Sequence, residues 1–196
     1  MNSPLLTTSR PELLDDNGDQ AFRELLYAYF AFGRSLDAAR AKFADYADLS
    51  TTQYLILIAV AHSRENEPLG INQLAERLYL SGAFVTIEVN KLVSDGLIEK
   101  TTHAGDRRRV QLAVTPAGIE RLARLAAFQR PVNDALFGTL SRSEFKQLLQ
   151  LLNRLAAGGD QAIKLAEHIE TTLRPNEHAL IPTASKGRRR TNGRYR

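Results

Sequence analysis

The sequence of 196 residues contains no cysteine, which excludes disulfide bonds, thiolate metal sites and thiol-based redox sensing. It also lacks any run of about 20 apolar residues, the length that a helix needs to cross a bilayer. Residues 1–19 have neither the basic stretch nor the apolar core of a secretory signal. From these absences we expect a soluble, cytoplasmic protein.

Residues typical of active sites are scattered along the chain. The four histidines, which are His62, His103, His168 and His178, do not have the spacing of a metal site. The sequence also has no glycine-rich phosphate loop, no nucleophile motif and no pair of carboxylates with catalytic spacing. We therefore expect neither an enzyme nor a protein that binds a cofactor or a metal.

The net charge of +4 is unevenly distributed. Residues 179–196 contain six lysines and arginines and no acid, so residues 1–178 carry a net charge of −2. The segment 174–196 is therefore predicted to be a basic, disordered tail. Two interpretations stay open for it, a sequence-independent contact with phosphates and a solvated tail without a dedicated role.

A heptad pattern extends from Gln20 to Tyr46 and predicts one long helix with an apolar seam. Its two series are Phe22, Tyr29, Leu36, Phe43 and Leu25, Phe32, Ala39, Tyr46. The seam belongs either to the chain's own core or to a surface shared with a second copy. We favour the second interpretation, because the seam is wider and more aromatic than a small isolated domain requires.

Residues 49–115 change from helical to strand periodicity partway along. Ser50 and Ser81 can each cap a helix, and Gly96 follows the end of the second of these. The predicted elements are helices over 53–63, 72–78 and 81–94, strands over 97–101 and 110–114, and a basic hairpin loop over 102–107. Two short helices followed by a hairpin is the order of a winged helix-turn-helix, whose second helix fits the major groove of DNA.

The C-terminal part of the sequence predicts further helices. Thr115 and Pro116 start a helix that continues to about Leu140 and is interrupted or bent near Pro131. A capping box at 141–144 starts the next helix, Gly158-Gly159 is predicted to break it, and 160–173 is predicted to form another.

The predicted fold class is mainly α with a small β-hairpin wing. The predicted organisation is a flexible segment at 1–19, a dimerisation helix at 20–48, a winged helix-turn-helix at 49–115, dimerisation helices at 116–173 and the basic tail at 174–196.

The helix over 81–94 has two unlike faces when successive residues are placed 100° apart. Its packed face is predicted to contain Val85, Val89, Leu92 and Val93. Ile87 lies near the centre of the opposite face, where an aliphatic side chain is suited to contact a thymine methyl group. The predicted DNA contacts are Ser81, Ala83, Phe84, Thr86, Ile87, Asn90 and Lys91.

Individual roles on this helix follow from side-chain chemistry. Thr86 and Asn90 can form hydrogen bonds with base edges, whereas Lys91 is better suited to a phosphate. Phe84 belongs either to the outward face or to the edge of the core. The sequence offers no role for Glu88.

Five segments resemble the MarR family of transcription regulators in their order and spacing. They are LSTTQY at 49–54, INQLAERL at 71–78, KLVSDGLIEK at 91–100, DRRRV at 106–110 and VTPAG at 114–118. The resemblance implies a homodimer that binds double-stranded DNA at a palindromic operator, as a repressor. It also implies that the long flanking helices form the dimer.

The resemblance assigns a role to the hairpin tip. In the family an Asp-x-Arg element orients an arginine for the minor groove, and here it falls on Asp106 and Arg108, with Arg107 and Arg109 as phosphate contacts. A hydrogen-bonded carboxylate fixes the guanidinium and lowers the entropy lost on docking. Ile87 departs from the family, which more often has a polar or basic residue there, so the operator sequence does not follow from the resemblance.

A small aromatic or anionic effector is also implied by the resemblance. It would bind between the dimerisation helices and the DNA-binding part, and would weaken the DNA complex by favouring another spacing of the two recognition helices. Candidate contacts combine a ring with a cation or a hydrogen-bond donor. They are Tyr29, Phe30, Arg34, Tyr54 and His62.

Two other functions remain open from the sequence alone. The first is a non-sensing, architectural DNA-binding protein whose basic tail provides affinity without sequence preference. The second is a winged helix that contacts only proteins.

Overall fold

A computed structural model of the chain describes residues 5–16, 18–63, 69–103 and 106–173, with side chains described except at 102, 103 and 106–109. The described residues divide into two compact units, with the boundary between Thr139 and Leu140. The predicted basic tail, residues 174–196, lies outside the described residues.

The first unit contains five helices and a two-stranded antiparallel hairpin among its described residues. They are α1 (Gln20–Tyr46), α2 (Thr51–Ala61), α3 (Ile71–Leu78), α4 (Gly82–Ser94), β1 (Ile98–His103), β2 (Asp106–Val114) and α5 (Pro116–Phe137). The predicted fold class, mainly α with a hairpin wing, is confirmed.

Side-chain caps fix where the helices of the winged helix-turn-helix begin. Ser50 and Gln53 form a reciprocal capping box at the start of α2, with N–H to oxygen distances of 3.2 Å and 2.9 Å. Ser81 Oγ accepts from the backbone N–H of Phe84 at 3.3 Å, which caps α4. These hydrogen bonds satisfy N–H groups that have no partner within a helix's first turn. Both predicted caps are confirmed.

The main core lies among α2, α3, α4 and the hairpin. Its fully buried side chains include Ile56 and Leu57 of α2, Leu74 of α3, and Val85, Val89 and Leu92 of α4. The packed face predicted for α4 is therefore confirmed, with Val93 partly buried against the same core. Since each of these residues lies on one stripe of its helix, burial of the stripe sets the direction of the opposite face.

A second, aromatic cluster joins α1 to α2 and α5. Phe43 contacts Tyr54 and Phe128, with ring centroids 6.0 Å and 5.7 Å apart, and Leu125 is buried beside them. Arg121 of α5 donates to the carbonyl oxygen of Ala47 at 2.8 Å, at the end of α1. A cation is favourable at a helix C-terminus, where carbonyl groups lack helical partners.

The end of α4, the start of β1 and the start of α5 meet at Leu97. Gly96 has φ of +69°, and the Leu97 N–H donates to the Leu92 carbonyl at 2.9 Å, the bonding of a Schellman motif. The Leu97 carbonyl in turn accepts from the Thr115 N–H at 3.1 Å. The Thr115 hydroxyl donates to the Gly96 carbonyl at 2.6 Å and accepts from the Gly118 N–H at 3.1 Å. The predicted start of α5 at Thr115 is confirmed.

The hairpin strands are longer than the sequence predicted. Residues predicted to lie in the loop, 102–103 and 106–107, belong to the strands, with His103 paired with Asp106 and a register irregularity after Thr102. The predicted loop over 102–107 was therefore wrong in extent, because threonine and arginine carry no backbone restriction that ends a strand. The Leu112 N–H also donates to the Leu69 carbonyl at 3.0 Å, so residue 69 lies alongside β2.

The second unit contains the helix α6 (Arg142–Leu173). Ser141 and Glu144 form the predicted capping box ahead of it, with the Ser141 N–H donating to the carboxylate at 2.7 Å. The predicted break at Gly158-Gly159 was wrong, since α6 continues through both residues. Glycine lowers helix stability by about 1 kcal/mol but keeps its N–H donor, so the helix can continue. Likewise α5 continues through Pro131.

The lead-in segment, which the sequence predicted to be flexible, carries local structure in its described residues. It contains a 3-10 helix, Pro11–Leu13, and a bridge between Asp15 and Gly18. Asp19 is buried and accepts from the backbone N–H and the hydroxyl of Thr7, each at 2.6 Å. These hydrogen bonds hold the pKa of Asp19 below its usual value. The contact therefore contributes stability at neutral pH that is lost as the pH falls through this lowered pKa.

We expect Gly118→Ala to destabilise the first unit. A Cβ atom at this position would lie 2.4 Å from the Leu97 carbonyl oxygen and 2.6 Å from Val114 Cγ1. Relieving such an overlap must displace backbone, so the free energy of unfolding should fall by about 1–3 kcal/mol. Urea unfolding at a fixed protomer concentration measures the change.

Gly158→Ala is the matched control, because a Cβ at that position of α6 meets no atom within 4 Å. This variant should be as stable as the wild type or gain up to about 1 kcal/mol from helix propensity. Equal losses in both variants would contradict the proposed role of the Leu97 contact.

Candidate nucleic-acid interface

The outward face of α4 is the surface that the fold leaves open beside the hairpin. Because Val85, Val89 and Leu92 are fully buried, the residues on the other side of the helix are directed away from the core. The exposed residues of this face are Ala83, Phe84, Ile87, Asn90, Lys91 and Ser94. All of them except Phe84, which the helical plot placed on the flank, are the outward residues that the plot predicted. Ser81 and the half-buried Thr86 lie at the margin.

Two large apolar side chains lie on this open face. Ile87 is 54% exposed and Phe84 is 42% exposed, although nearby apolar residues of the same helix are completely buried. Phe84 is therefore not folded into the core, which decides between its two sequence-based interpretations. A helix of suitable width with exposed apolar groups can contact thymine methyl groups in a major groove.

Glu88 and Lys91 form an ion pair on the flank of α4. The Glu88 side chain is 7% exposed, and its carboxylate accepts from Lys91 Nζ at 2.7 Å. This contact explains the acid for which the sequence offered no role, and the Glu-to-Lys spacing of three residues was a signal that could have identified it. The ion pair also occupies the ammonium group of Lys91, which was predicted from the sequence to contact a phosphate.

Asn90 is also engaged by a lysine, in this case from the hairpin. Lys100 Nζ of β1 donates to Asn90 Oδ1 at 2.6 Å, and both residues are exposed. The Thr86 hydroxyl donates to the Gly82 carbonyl of its own helix at 2.7 Å, so only its oxygen lone pairs remain for another partner. Lys100 was missed by sequence reasoning, because no helical period connects residues on α4 and β1.

The predicted wing residues lie in the first part of β2. Asp106, Arg107, Arg108 and Arg109 have backbone positions in this strand, and residues 104–105 before them lie outside the described residues. The positions of their side chains also lie outside the described residues, so their proposed roles remain predictions.

The five ligand-pocket candidates lie on α1, on α2 and at the end of α2, and they differ in exposure. Tyr29, Phe30 and Arg34 are exposed on α1, with the two rings in edge contact at 5.8 Å. Tyr54 is buried, and its hydroxyl accepts from Gln129 at 2.9 Å; burial raises the pKa of this hydroxyl. His62 is exposed and its Nδ1 lies 2.9 Å from the Ile58 carbonyl of its own helix.

Other site classes were also searched in the described part of the chain. There, no group of three or more His, Asp or Glu side chains is arranged to hold a metal ion. Over the same residues, no helix is both long enough and apolar enough to span a membrane.

Comparison with known proteins finds similarity over the part of the chain that contains α4. Residues 47–109 match a model described as the MarR family. The HTH-type transcriptional regulator SarZ of Staphylococcus saprophyticus subsp. saprophyticus is 24% identical over 105 residues, which cover 54% of this chain and 70% of that protein. SarZ of Staphylococcus aureus strain USA300 is 24% identical over 96 residues, and the match covers 49% of this chain and 63% of that protein. The chain thus spans less than two thirds of the S. aureus protein.

Solved structures agree on the fold. The transcriptional regulator SlyA matches with a TM-score of 0.57 at 20% identity, covering 72% of this chain and 98% of that chain. The transcriptional regulator BldR from Sulfolobus solfataricus matches with a TM-score of 0.54 at 23% identity, covering 70% and 98%. At these identities the likeness concerns the winged-helix fold alone.

We expect Lys91→Met to be more destabilising than Glu88→Leu. The first change leaves a buried carboxylate without its cation, whereas the second removes the buried charge and keeps an apolar side chain of similar size. Lys91→Met should lower the free energy of unfolding by about 1–3 kcal/mol, less than for a wholly buried pair because Lys91 is half exposed. Glu88→Leu should be close to neutral.

Chemical denaturation measures both variants, and Arg124→Met serves as the control. Arg124 pairs with Glu120 on α5 at 3.3 Å, but both side chains are more than 60% exposed. Its loss should change stability by less than about 1 kcal/mol. A Glu88→Leu variant that is less stable than Lys91→Met would contradict this account of the pair.

Proposed function

Because the chain belongs to the MarR family of winged-helix transcription regulators, we propose that it acts as a homodimeric repressor that binds a palindromic operator in duplex DNA. The observation that carries the proposal is the outward face of α4, where Phe84 and Ile87 are exposed beside the polar Asn90. A recognition helix needs such a face, because base edges present both methyl groups and hydrogen-bonding atoms in the major groove. A regulator of this family is not an enzyme, as the sequence predicted.

The hairpin supports the same proposal through the position of its basic residues. Residues 106–109 begin β2, and Leu112 further along the same strand is buried in the core that contains α4. We propose that Arg108 enters the minor groove, oriented by Asp106, while Arg107 and Arg109 contact phosphates. The seven predicted residues of the recognition helix, Ser81 to Lys91, would contact the adjacent major groove.

The homodimer is supported by the apolar face of α6. A heptad repeat extends along the whole helix, with its a positions at Phe145, Leu152, Gly159, Ala166 and Leu173 and its d positions at Leu148, Leu155, Ala162 and Ile169. The e and g positions are also mostly apolar, whereas b, c and f are mostly polar. No side chain of α6 is buried within the chain, although apolar surfaces of this length are normally covered. We propose that a second copy covers them.

The first helix supports the dimer in the same way. Its heptad series is buried at Phe43, near the C-terminal end, but Leu25 and Tyr29 near its start are both 59% exposed. This difference favours a seam shared with a second copy over a seam buried within one chain. A dimer would present two α4 helices to half-sites about 34–36 Å apart on one face of the duplex, and a complex of that size would repress by occluding a promoter.

An effector site is proposed on the exposed part of α1. Phe30 and Arg34 are one helical turn apart and both exposed, so a ring and a cation are available together to an aromatic anion. Tyr29 lies in contact with Phe30. Because these side chains are open in one chain, the second copy would have to supply the other wall of the pocket. Tyr54 and His62 remain candidates from the sequence only.

We expect the wild-type chain to prefer one sequence strongly, and Arg108→Ala to weaken that binding. A duplex selected from a random pool should bind at least about 10³-fold more tightly than random DNA. Loss of the minor-groove arginine should cost about 1–3 kcal/mol, or roughly 5- to 150-fold in affinity. Gel shift at constant salt measures both, and Arg124→Ala, an exposed arginine of α5, is the control that should bind normally.

Three arms of the same assay separate the alternatives. A chain lacking residues 184–196 should keep its sequence preference, whereas an architectural protein would show none and would lose its salt dependence with the tail. Unchanged binding by Arg108→Ala would instead favour a protein-contact module. Addition of an aromatic carboxylate such as benzoate should release the complex, and Arg34→Ala should reduce that response.

We expect Leu155→Lys to dissociate the dimer. Leu155 is 69% exposed in the single chain and lies at a d position, so a charge there would be buried without a partner between two copies. Light scattering after size exclusion should give twice 21.8 kDa for the wild type and a smaller mass for the variant. Gln150→Lys places the same charge at the polar f position and should stay dimeric. A wild-type mass of 21.8 kDa would contradict the proposed dimer.

A further inference from the structure

The contact between Lys100 and Asn90 connects the wing to the outward face of the recognition helix. Lys100 Nζ lies 2.6 Å from Asn90 Oδ1, across ten residues of sequence. Asn90 is exposed and lies on the same face of α4 as Ile87 and Ser94. A residue of the hairpin therefore determines how a side chain of the candidate reading surface is oriented.

The register of the hairpin explains why Lys100 reaches this face. Lys100 pairs with Leu112, and the pair two residues away is Ile98 with Val114. Side chains two residues apart share one face of a strand, and Ile98 and Leu112 are both buried in the core that contains α4. The Lys100 stem thus starts on the side of the hairpin that faces α4, and its ammonium extends to the edge of that core.

The chemistry of the pair fixes the orientation of the amide. An ammonium group has three donors and no acceptor, so it can bind only the oxygen of the asparagine amide. The Asn90 Nδ2 group is then directed away from Lys100, and its two N–H groups remain available. The neighbouring cation, Lys91, is held by Glu88 at 2.7 Å, so the amide donors and the apolar Ile87 are the distinctive features of this face.

Base edges differ in what they offer to such an amide. An asparagine that recognises adenine donates to N7 and accepts from the N6 amino group, and therefore needs a free Oδ1. At the major-groove edge guanine offers the acceptors O6 and N7 and thymine offers the acceptor O4, and neither base presents a donor at that edge. Lys100 places positive charge and N–H donors beside Oδ1, where the amino group of adenine would have to approach.

We propose that Lys100 is a positioning residue that commits Asn90 to act as a hydrogen-bond donor, so that the half-site carries guanine or thymine, and not adenine, at the base facing Asn90. The inference rests on the proposed function of α4 as a base-reading helix. It adds a specificity determinant outside the recognition helix, on the wing strand β1.

Selection from a random duplex pool, with the full-length chain and four variants, tests the proposal. Asn90→Ala should abolish base preference at one position of each half-site and leave the others, which identifies that position. There the wild type should prefer guanine or thymine over adenine by at least about fivefold. Lys100→Met and Lys100→Ala, which lack the donor, should admit adenine there, whereas Lys100→Arg, which keeps a donor, should retain the wild-type preference.

Salt dependence distinguishes positioning from a direct phosphate contact. If Lys100 only positions Asn90, Lys100→Met should keep the wild-type slope of log affinity against log salt. Loss of a phosphate contact would instead reduce the magnitude of this negative slope by about 0.9 and weaken binding to all sequences equally. Three results would overturn the inference and leave the proposed function intact. They are a reduced salt dependence with equal weakening of all sequences in Lys100→Met, a wild-type preference for adenine at the Asn90 position, and unchanged selection by Lys100→Met. A wild-type chain that enriches no sequence would overturn both. Thermal melting checks that the variants fold, as expected for two exposed residues.

Discussion

The backbone of Leu97 holds together the three parts on which the proposed function depends. The Leu97 N–H donates to the Leu92 carbonyl in the last turn of α4, and the Leu97 carbonyl accepts from the Thr115 N–H at the start of α5. The next residue, Ile98, begins β1. Gly118 packs so closely on the Leu97 carbonyl that no side chain fits between them. Hydrogen bonds at this one residue therefore fix α4, β1 and α5 relative to one another. Because Leu97 is buried, its backbone N–H and carbonyl groups must have hydrogen-bond partners within the protein.

A second connection joins the opposite side of the DNA-binding part to the helices that flank it. Arg121 of α5 donates a hydrogen bond to the carbonyl oxygen of Ala47, the residue after the end of α1. The aromatic cluster around Phe43 packs between α1, α2 and α5. Packed side chains therefore connect α1 and α5 directly to α2. The effector proposed for α1 would need such a connection to change the spacing of the two α4 helices in the proposed dimer.

The excess positive charge of this chain and the proposed base-reading face lie in different segments of the sequence. The net positive charge belongs to residues 179–196, whereas residues 1–178 are slightly negative. On α4 itself the lysine is paired with Glu88, and the nearby Lys100 is directed at Asn90. The proposed reading surface consequently presents methyl groups and amide donors. Such groups discriminate between bases, while free lysines would mainly contact phosphates without regard to sequence.

Much of the fold could be predicted from the sequence, because local rules act within a few residues. Ser50, Ser81 and Thr115 cap helices where a hydroxyl precedes an apolar period, and the buried stripe of Val85, Val89 and Leu92 follows from helical geometry alone. The two errors had different origins. Gly158-Gly159 weakens a helix without ending it, and the strand pairing of His103 with Asp106 depends on a partner strand that no single segment reveals.

The candidate site was only partly determined in this way. The outward face of α4 could be predicted from the spacing of neighbouring residues, whereas the role of the Asp-x-Arg pattern was implied only by the resemblance to a family and stays a prediction. Tertiary structure alone decided that Phe84 stays exposed, that Tyr54 is enclosed beside Phe43, and that Lys100 meets Asn90. These outcomes depend on which elements pack together, and distance in space between residues on different elements is not encoded in any local period.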